Sequence, residues 1–267
     1  MPFDEDTGLA PLGDGSFEGR IDRRWYTPVG PLGGYVMAIV MRAMQIAVDD
    51  PERRPRTMTM SFLRKPEQGP VVVKPVVERA GRSLAFTSAR LEQDGKLLGI
   101  AMASFSPAWP GPLLDDTPMP EGIEPPGPRD APPSGAPRPD PPPFTERLSM
   151  QWRFGEKPFA GADKGLTGGW LGLREERQLD ALTVLVLADA WFPAPWPRLT
   201  KLAAAPTIEM SVYFRAPLPQ PDALLLGRFE TNYVRDGFFE EDGRLWTPDG
   251  TLIAQSRQLG LLMGAEA

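Results

Sequence analysis

The sequence predicts an α+β protein in which one structural unit occurs twice. A strand-like stretch that ends in a basic residue, a spacer and proline lies at 57–66 and again at 208–217. In each half a helix-like segment precedes this stretch and further strand-like segments follow it. An Asp-Gly turn opens the last strand-like segment of each half. The two copies lie too far apart for a solenoid repeat, so we expect a tandem pair of domains.

The first half is predicted to form a strand, a long helix and an antiparallel meander. The opening strand lies around 17–26, and Gly30–Tyr35 leads into a helix over 36–48 that contains no breaker. Because Asp94-Gly95 is a strong hairpin signal, the last two strands should pair with each other. The predicted strands are 56–64, 70–79, 84–93 and 96–105.

A segment dense in proline, 107–143, separates the halves. Proline donates no backbone hydrogen bond and favours an extended conformation, so a semi-rigid linker is expected. The predicted organisation is an N-terminal repeat over 1–106, a linker over 107–146 and a C-terminal repeat over 147–267.

The second half repeats the order of elements. A strand is predicted at 148–154, and Asp180 is a good N-cap for a helix over 181–190, which Pro193 ends. The predicted strands that follow are 206–215, 223–234, 238–246 and 251–262.

Composition removes several classes of function. The 267-residue chain has a net charge of −6, so general affinity for nucleic acid is not expected. It contains no cysteine and no histidine, which excludes Cys nucleophiles, Ser-His-Asp triads and Cys/His zinc sites. Acid–base chemistry must therefore use carboxylates, Lys or Tyr. No apolar run approaches a membrane span, and the acidic N-terminus lacks signal-peptide features, so a cytoplasmic location is expected.

Asp189 is the residue that a structural role explains least well. It lies in the last turn of a helix that is apolar nearly all round, where burial and the negative end of the helix dipole both oppose its charge. Both effects raise a carboxyl pKa, as in a tuned acid or base. An Asp at an exposed helix end, or one capping the turn that follows, fits the sequence equally well.

Two further polar residues and one loop are weaker candidates. Gln258 shares a predicted strand face with apolar residues and needs partners if it is buried, but an exposed edge position is also compatible. Thr207 begins the repeated strand, on the predicted face of Glu209, and threonine is common there. The N–H groups of Gly30–Tyr35 could bind an anion or oxyanion, or the loop could simply open the helix.

Several motifs occur in a recognisable order along both halves. In the first half they are Trp25 with Pro28, Gly30–Tyr35, Phe62–Pro66 and Gly81–Leu84. In the second half they are Leu182–Pro193, Pro206–Pro217, Asp249-Gly250 and Ala254–Gln258. With these motifs the chain resembles the acyl-CoA thioesterase II family and its thioesterase-like relatives. That resemblance implies a double hot-dog fold, in which each of two tandem repeats has a long helix wrapped by an antiparallel sheet.

The resemblance also implies one hydrolytic site per chain. The family's catalytic Asp, Thr and Gln match Asp189, Thr207 and Gln258, whereas the repeat comparison places Arg56 and about Ala103 opposite Thr207 and Gln258. Water would attack a fatty or related acyl-CoA thioester, and Gly33, Gly34 and Tyr35 are candidates for binding the oxyanion or the substrate.

The resemblance implies no cofactor and no metal, and a function in lipid metabolism. A homodimer or higher homo-oligomer is a family expectation only. The alternative hypothesis is a non-catalytic acyl-CoA or lipid-binding protein on the same fold.

Overall fold

The computed structural model describes residues 2–130 and 141–264, and it confirms the predicted α+β class. The helices are α1 Pro2–Asp6, α2 Gly33–Val48 and α3 Ala181–Asp189. The first-half strands are β1 Ala10–Pro11, β2 Phe17–Ile21, β3 Arg54–Phe62, β4 Gly69–Ala80, β5 Ala85–Gln93 and β6 Lys96–Ser106. The second-half strands are β7 Leu148–Gly155, β8 Gly165–Leu173, β9 Thr207–Phe214, β10 Leu225–Thr231, β11 Val234–Arg235, β12 Phe238–Trp246 and β13 Leu252–Leu261.

Within the described residues, all the strands join one antiparallel sheet. Counted outward from the junction at its centre, the two halves have the same strand order. The order runs β1-β2-β4-β5-β6-β3 through the first half and continues β9-β13-β12-β10-β8-β7 through the second, with β11 beside β12. The repeated strands β3 and β9 form the junction, where Met60 lies opposite Met210. The tandem repeat predicted from the sequence is therefore a repeat in three dimensions, joined through its most similar strands.

Matching β-bulges show which residues of the two halves correspond. In β3 the pairing with β6 slips at Arg56, and in β9 the pairing with β13 slips at Ile208. Arg56 is therefore the counterpart of Ile208, and Pro55 is the counterpart of Thr207. The sequence comparison that placed Arg56 opposite Thr207 is out of register by one residue, because it matched the Arg-x-Pro endings instead of the bulges.

The helices α2 and α3 pack against each other and cover one face of the sheet, which we call the helix face. Apart from Asp189, every residue of α3 is buried, as its apolar sequence predicts. Gly34 is required at the crossing, because a Cβ atom there would overlap the Leu185 carbonyl oxygen. This close approach brings the N-terminus of α2 onto the C-terminal end of α3.

The second half differs from the prediction in one element. Its helix, predicted over 181–190, ends at Asp189 and is shorter than the first-half helix, with nine residues against sixteen in α2. An additional strand, β8, was not predicted because its glycines depress strand propensity. At Gly168 the reason for glycine is steric, since a Cβ atom would overlap the Phe154 ring and the Gly227 carbonyl.

The described part of the proline-rich segment is held against the outer face of the second-half sheet. The indole N–H groups of Trp246 and Trp170 donate to the carbonyl oxygens of Thr117 (3.0 Å) and Glu124 (2.8 Å). Met119 and Ile123 pack against the apolar cluster of Trp170. Residues 117–130 therefore cover part of the sheet, while residues 131–140 of the predicted linker lie outside the described residues. None of the described helices is long and apolar enough to cross a membrane.

Candidate active site

Asp189 is the last residue of α3, and it meets the N-terminus of the other long helix. The Gly34 N–H group at the start of α2 donates to Asp189 Oδ2 at 2.8 Å. The N-cap residue of α2 is Leu32, whose side chain makes no capping hydrogen bond. Asp189 thus supplies the cap that the sequence of α2 lacks, and it places a carboxylate at the positive end of that helix dipole.

The surroundings of Asp189 shift its pKa in opposite directions. Burial raises the pKa of the carboxyl from 3.8 to about 6, while hydrogen bonds from the Gly34 and Gly33 N–H groups lower it. The sequence predicted the raised pKa from burial and from the end of its own helix, but it could not reveal that a second helix opposes this rise. The result is a carboxyl group that titrates near neutral pH, as a general base requires.

Thr207 and Gln258 are brought together, as the resemblance implies, and they belong to a longer chain of hydrogen bonds. The Thr207 hydroxyl donates to Gln258 Oε1 at 2.6 Å. Gln258 Nε2 donates to Glu241 Oε1 at 2.7 Å, and Glu241 Oε2 accepts the Ala194 N–H at 2.5 Å. Gln258 is therefore a buried amide with both ends satisfied, and not the exposed edge residue that the sequence also allowed.

The bulge in β9 explains how Thr207 reaches this chain. Strict alternation would put Thr207 on the outer face with Glu209, as the sequence analysis expected. The extra residue at Ile208 changes the direction of the strand start, so that the Thr207 side chain meets Gln258 from the helix face. Bulges next to functional sites commonly redirect a side chain in this way.

Glu241 is the residue of this cluster that the sequence analysis missed. It is only 5% exposed, and burial together with the negative charges of Asp189 and Asp242 raises the pKa of its carboxyl to about 7, although the hydrogen bonds from the Ala194 N–H and Gln258 oppose this rise. Its position could have been found by alternation along β12, because Phe239 and Leu245 share its face and are buried. The run of acidic residues from Glu240 to Asp242 hid this signal by resembling a solvated surface.

The residues predicted to bind the oxyanion or the substrate, Gly33, Gly34 and Tyr35, make contacts within the protein. The Gly33 and Gly34 N–H groups both act on Asp189 in this structure, so donation to a substrate oxyanion stays a prediction. Tyr35 packs on the Trp25 ring, and its hydroxyl lies 2.8 Å from the carbonyl oxygens of Asp6 and Arg20, which share its one proton. These hydrogen bonds stabilise the N-terminal segment, and substrate binding by Tyr35 stays a prediction.

The loop after Asp189 closes this end of α3 with aromatic side chains. The Trp191 indole N–H donates to Thr167 Oγ1 at 2.8 Å, and its ring stacks on Phe229. Phe192 and Trp152 pack against the same tryptophan. Among the described residues, no three His, Cys, Asp or Glu side chains form a group that could hold a metal ion.

The sequence matches the acyl-CoA thioesterase N-terminal domain over residues 21–106 and the acyl-CoA thioesterase C-terminal domain over residues 128–262. The chain belongs to the acyl-CoA thioesterase family. The C-terminal match contains Asp189, Thr207, Glu241 and Gln258, and together the two matches cover both halves of the sheet.

Similar proteins of known sequence or structure extend over nearly the whole chain. An uncharacterised protein of Mycobacterium tuberculosis is 25% identical over 98% of this chain and 95% of its own length. A hot-dog protein of unknown function from Alicyclobacillus acidocaldarius superposes with a TM-score of 0.82 at 26% identity, covering 100% of this chain and 99% of that one. The acyl-CoA thioesterase II TesB2 of Mycobacterium marinum has the same fold, with a TM-score of 0.76, 20% identity and 97% coverage of both chains.

Proposed function

We propose that this member of the thioesterase family hydrolyses an acyl-CoA thioester at one site in its second half. The observation that supports this proposal best is a candidate base whose charge reaches a chain of hydrogen-bonded polar side chains. The pKa of Asp189 is raised to about 6, and its charge acts on Glu241, which forms continuous hydrogen bonds with Gln258 and Thr207. A purely apolar binding site gains nothing from two desolvated carboxyl groups, because removing each of them from water costs free energy.

In the proposed reaction Asp189 accepts a proton from a water molecule. The water oxygen bonds to the thioester carbonyl carbon, and the carbonyl π electrons move to the oxygen. When the tetrahedral intermediate collapses, the carbon–sulfur bond breaks and the thiolate receives the proton held by Asp189. The products are the free acid and the CoA thiol, so the reaction is balanced without any further reactant. Positioned proton transfer of this kind contributes about 10²- to 10⁴-fold.

Thr207 and Gln258 have the role of holding the water. The Thr207 hydroxyl has one proton, and that proton is donated to Gln258. The remaining lone pairs of Thr207 accept a hydrogen bond from the water, while Asp189 accepts the other. A water with both hydrogens bound in this way presents a lone pair to the carbonyl carbon.

The test is thiol release from a panel of short-, medium- and long-chain acyl-CoAs. The protein has no cysteine, so a thiol-reactive dye reports only the CoA product. We expect saturable turnover with at least one chain length. Tight binding of acyl-CoA, measured by calorimetry, without turnover of any member would contradict hydrolysis and identify an acyl-CoA-binding protein.

A further inference from the structure

We propose that Glu241 is a positioning residue, which fixes the orientation of the Gln258 amide and thereby makes the Thr207 hydroxyl an acceptor for the attacking water. The proposal extends the proposed thioesterase function and rests on it for its kinetic consequences. Its geometric part concerns only the direction of three hydrogen bonds, and it can be measured without turnover.

The direction of the hydrogen bonds is fixed first by a group that can only donate. The Ala194 N–H is a backbone donor, and it donates to Glu241 Oε2 at 2.5 Å. An ionised carboxylate only accepts hydrogen bonds, so Glu241 Oε1 needs a donor from its other neighbour. That neighbour is Gln258, whose Nε2 lies 2.7 Å away.

The orientation of Gln258 then determines that of Thr207. With its NH₂ group directed at Glu241, the amide must present Oε1 to Thr207, and the 2.6 Å contact is a hydrogen bond from the hydroxyl. If the amide were reversed, Thr207 would accept from Gln258 and would donate to the water instead. A water that accepts a hydrogen bond from Thr207 uses one of its own lone pairs for that bond. It then no longer donates to both Thr207 and Asp189, which is the arrangement that orients it for attack.

Because Glu241 and Gln258 are buried, reversing the direction of these hydrogen bonds costs free energy. Glu241 is 5% exposed and Gln258 is 8% exposed, so water does not replace a lost partner at either residue. A reversed amide would place the Gln258 oxygen against a carboxylate oxygen, which leaves a buried acceptor without a donor. The charged groups that act on Glu241 most strongly are Asp189 at the end of α3 and Asp242 on β12, and both are acidic. Protonation of Glu241 removes the requirement for two donors.

The first experiment uses Glu241→Gln and the double variant Glu241→Gln/Gln258→Glu. In the single variant the new amide oxygen must accept the Ala194 N–H, so its NH₂ group faces Gln258 and reverses the chain. We expect kcat for thiol release to fall by about 10- to 100-fold with KM nearly unchanged, because a displaced water costs rates of this size. In the double variant residue 241 donates to a carboxylate at 258, which again accepts from Thr207. At least a tenfold recovery over the single variant is therefore expected.

Asp242→Asn is the matched control for the removal of a carboxylate from β12. Asp242 follows Glu241 directly, but it lies on the outer face, where it pairs with Arg257. Asp242 makes no hydrogen bond to the chain, and loss of its charge lowers the pKa of Glu241, so Glu241 stays ionised at high pH. At pH 8 the variant should therefore keep kcat within about threefold of the wild type. Wild-type activity in Glu241→Gln, or a double variant no better than the single one, would overturn the proposal.

A second measurement needs no catalysis and no stable variant. The chain has eight glutamines and one asparagine, so the side-chain amide region of a ¹⁵N spectrum contains few signals. Correlation of each side-chain amide with its assigned backbone identifies the Gln258 signal. We expect one of its amide protons to move as Glu241 titrates between about pH 5 and 8. A Gln258 signal that is independent of pH over this range would overturn the proposal even if the protein hydrolyses acyl-CoA. A titrating signal in a protein without turnover would instead reject only the proposed function.

Discussion

The two halves of the molecule share a backbone plan but differ in the side chains that their helix faces bury. Both halves have the same strand order and the same bulge, and both pass a helix across the sheet. At four corresponding positions, however, the two halves have side chains of different chemistry. Gln258 and Glu241 pair across β13 and β12, whereas the corresponding pair across β6 and β5 is Ala103 and Thr87. The sequence comparison already placed Gln258 opposite about Ala103, and the strand register agrees.

The other two differences concern the base and the hydroxyl. Asp189 is the ninth residue of α3, and the ninth residue of α2 is Met41, which is fully buried. Thr207 precedes its bulge, and Pro55 precedes the corresponding one. The first half therefore has neither a carboxyl group nor a hydroxyl where the second half has both, and we propose that this symmetric fold contains a one-sided site.

The helix N-termini show why Asp189 could be accommodated. Asp180 caps α3 from within its own chain segment, because its side chain accepts the Thr183 N–H at 2.8 Å. Helix α2 begins at Gly33, and its N-cap residue Leu32 makes no such hydrogen bond, so the first N–H groups of the helix are available to Asp189. One uncapped helix is thus completed by the residue that we propose as the base, which couples the stability of the fold to its chemistry.

The largest expected difference between the halves is at the helix positions. Asp189→Asn keeps an acceptor for the Gly34 N–H but cannot take a proton, so kcat should fall by about 10²- to 10⁴-fold. Met41→Leu, at the ninth residue of α2 as Asp189 is the ninth of α3, conserves volume and should leave kcat within about twofold. Thiol release with saturating acyl-CoA measures both. Equal losses in the two variants would mean that Asp189 acts only through packing.

A smaller difference is expected between two threonines, the partly buried Thr207 and the buried Thr87. Thr207→Val removes the hydroxyl that holds the water, and kcat should fall by about 10- to 100-fold. In the first half, the Thr87 hydroxyl has only a long contact of 3.5 Å to the Ala103 carbonyl. Thr87→Val should therefore change kcat by less than about twofold. If Thr207→Val is as active as Thr87→Val, the hydroxyl does not position the water.

The pH dependence of turnover should follow the two acidic groups of the second half. Asp189 must be ionised to accept a proton and Glu241 must be ionised to orient Gln258, and their pKa values are raised to about 6 and about 7. We expect kcat to rise with pH through this range and then to level off. A kcat that is constant from about pH 5 to 8 would remove both groups from the mechanism.

The smallest effect is on stability, and it has the opposite sign to the effect on activity. The pKa of Asp189 is higher in the folded protein, so the unfolded chain loses its proton first as pH rises and the folded state becomes relatively less stable. Asp189→Asn removes this penalty, and it should raise the free energy of unfolding at pH 8 by about 1 to 2 kcal/mol. Below about pH 3.5 the carboxyl is neutral in both states, and the gain should disappear. Denaturant melts at both pH values measure the difference, and Asp163→Asn on the surface is the control.

Most of the fold followed from the sequence because its signals are local. The Asp94-Gly95 turn, the Asp180 cap and the apolar run of α3 each act within a few residues, and the elements they predicted are present. The strand β8 was missed because it contains several glycines. These glycines are needed where ring and backbone atoms of residues distant in sequence leave no room for a Cβ atom. Nothing local in Gly165–Leu173 expresses that constraint.

The candidate site was predictable only in part, for the same reason. Asp189 could be identified because a charged residue at the end of an apolar helix conflicts with the pattern of the residues around it. The inward direction of Thr207 depends on a bulge, and the importance of Glu241 depends on its contact with Gln258. Both facts arise from strand pairing. The cap that Asp189 provides for α2 joins residues 155 positions apart, beyond the reach of any motif.

The most direct test of a one-sided site is the number of substrate molecules that each chain binds. Asp189→Asn should bind acyl-CoA without consuming it, so calorimetric titration with the acyl-CoA that the wild type hydrolyses fastest gives this number. The account predicts one acyl-CoA per chain, bound at the second-half site. Two equivalents of similar affinity would show that the first half also retains a working site, and would contradict the division of roles between the repeats.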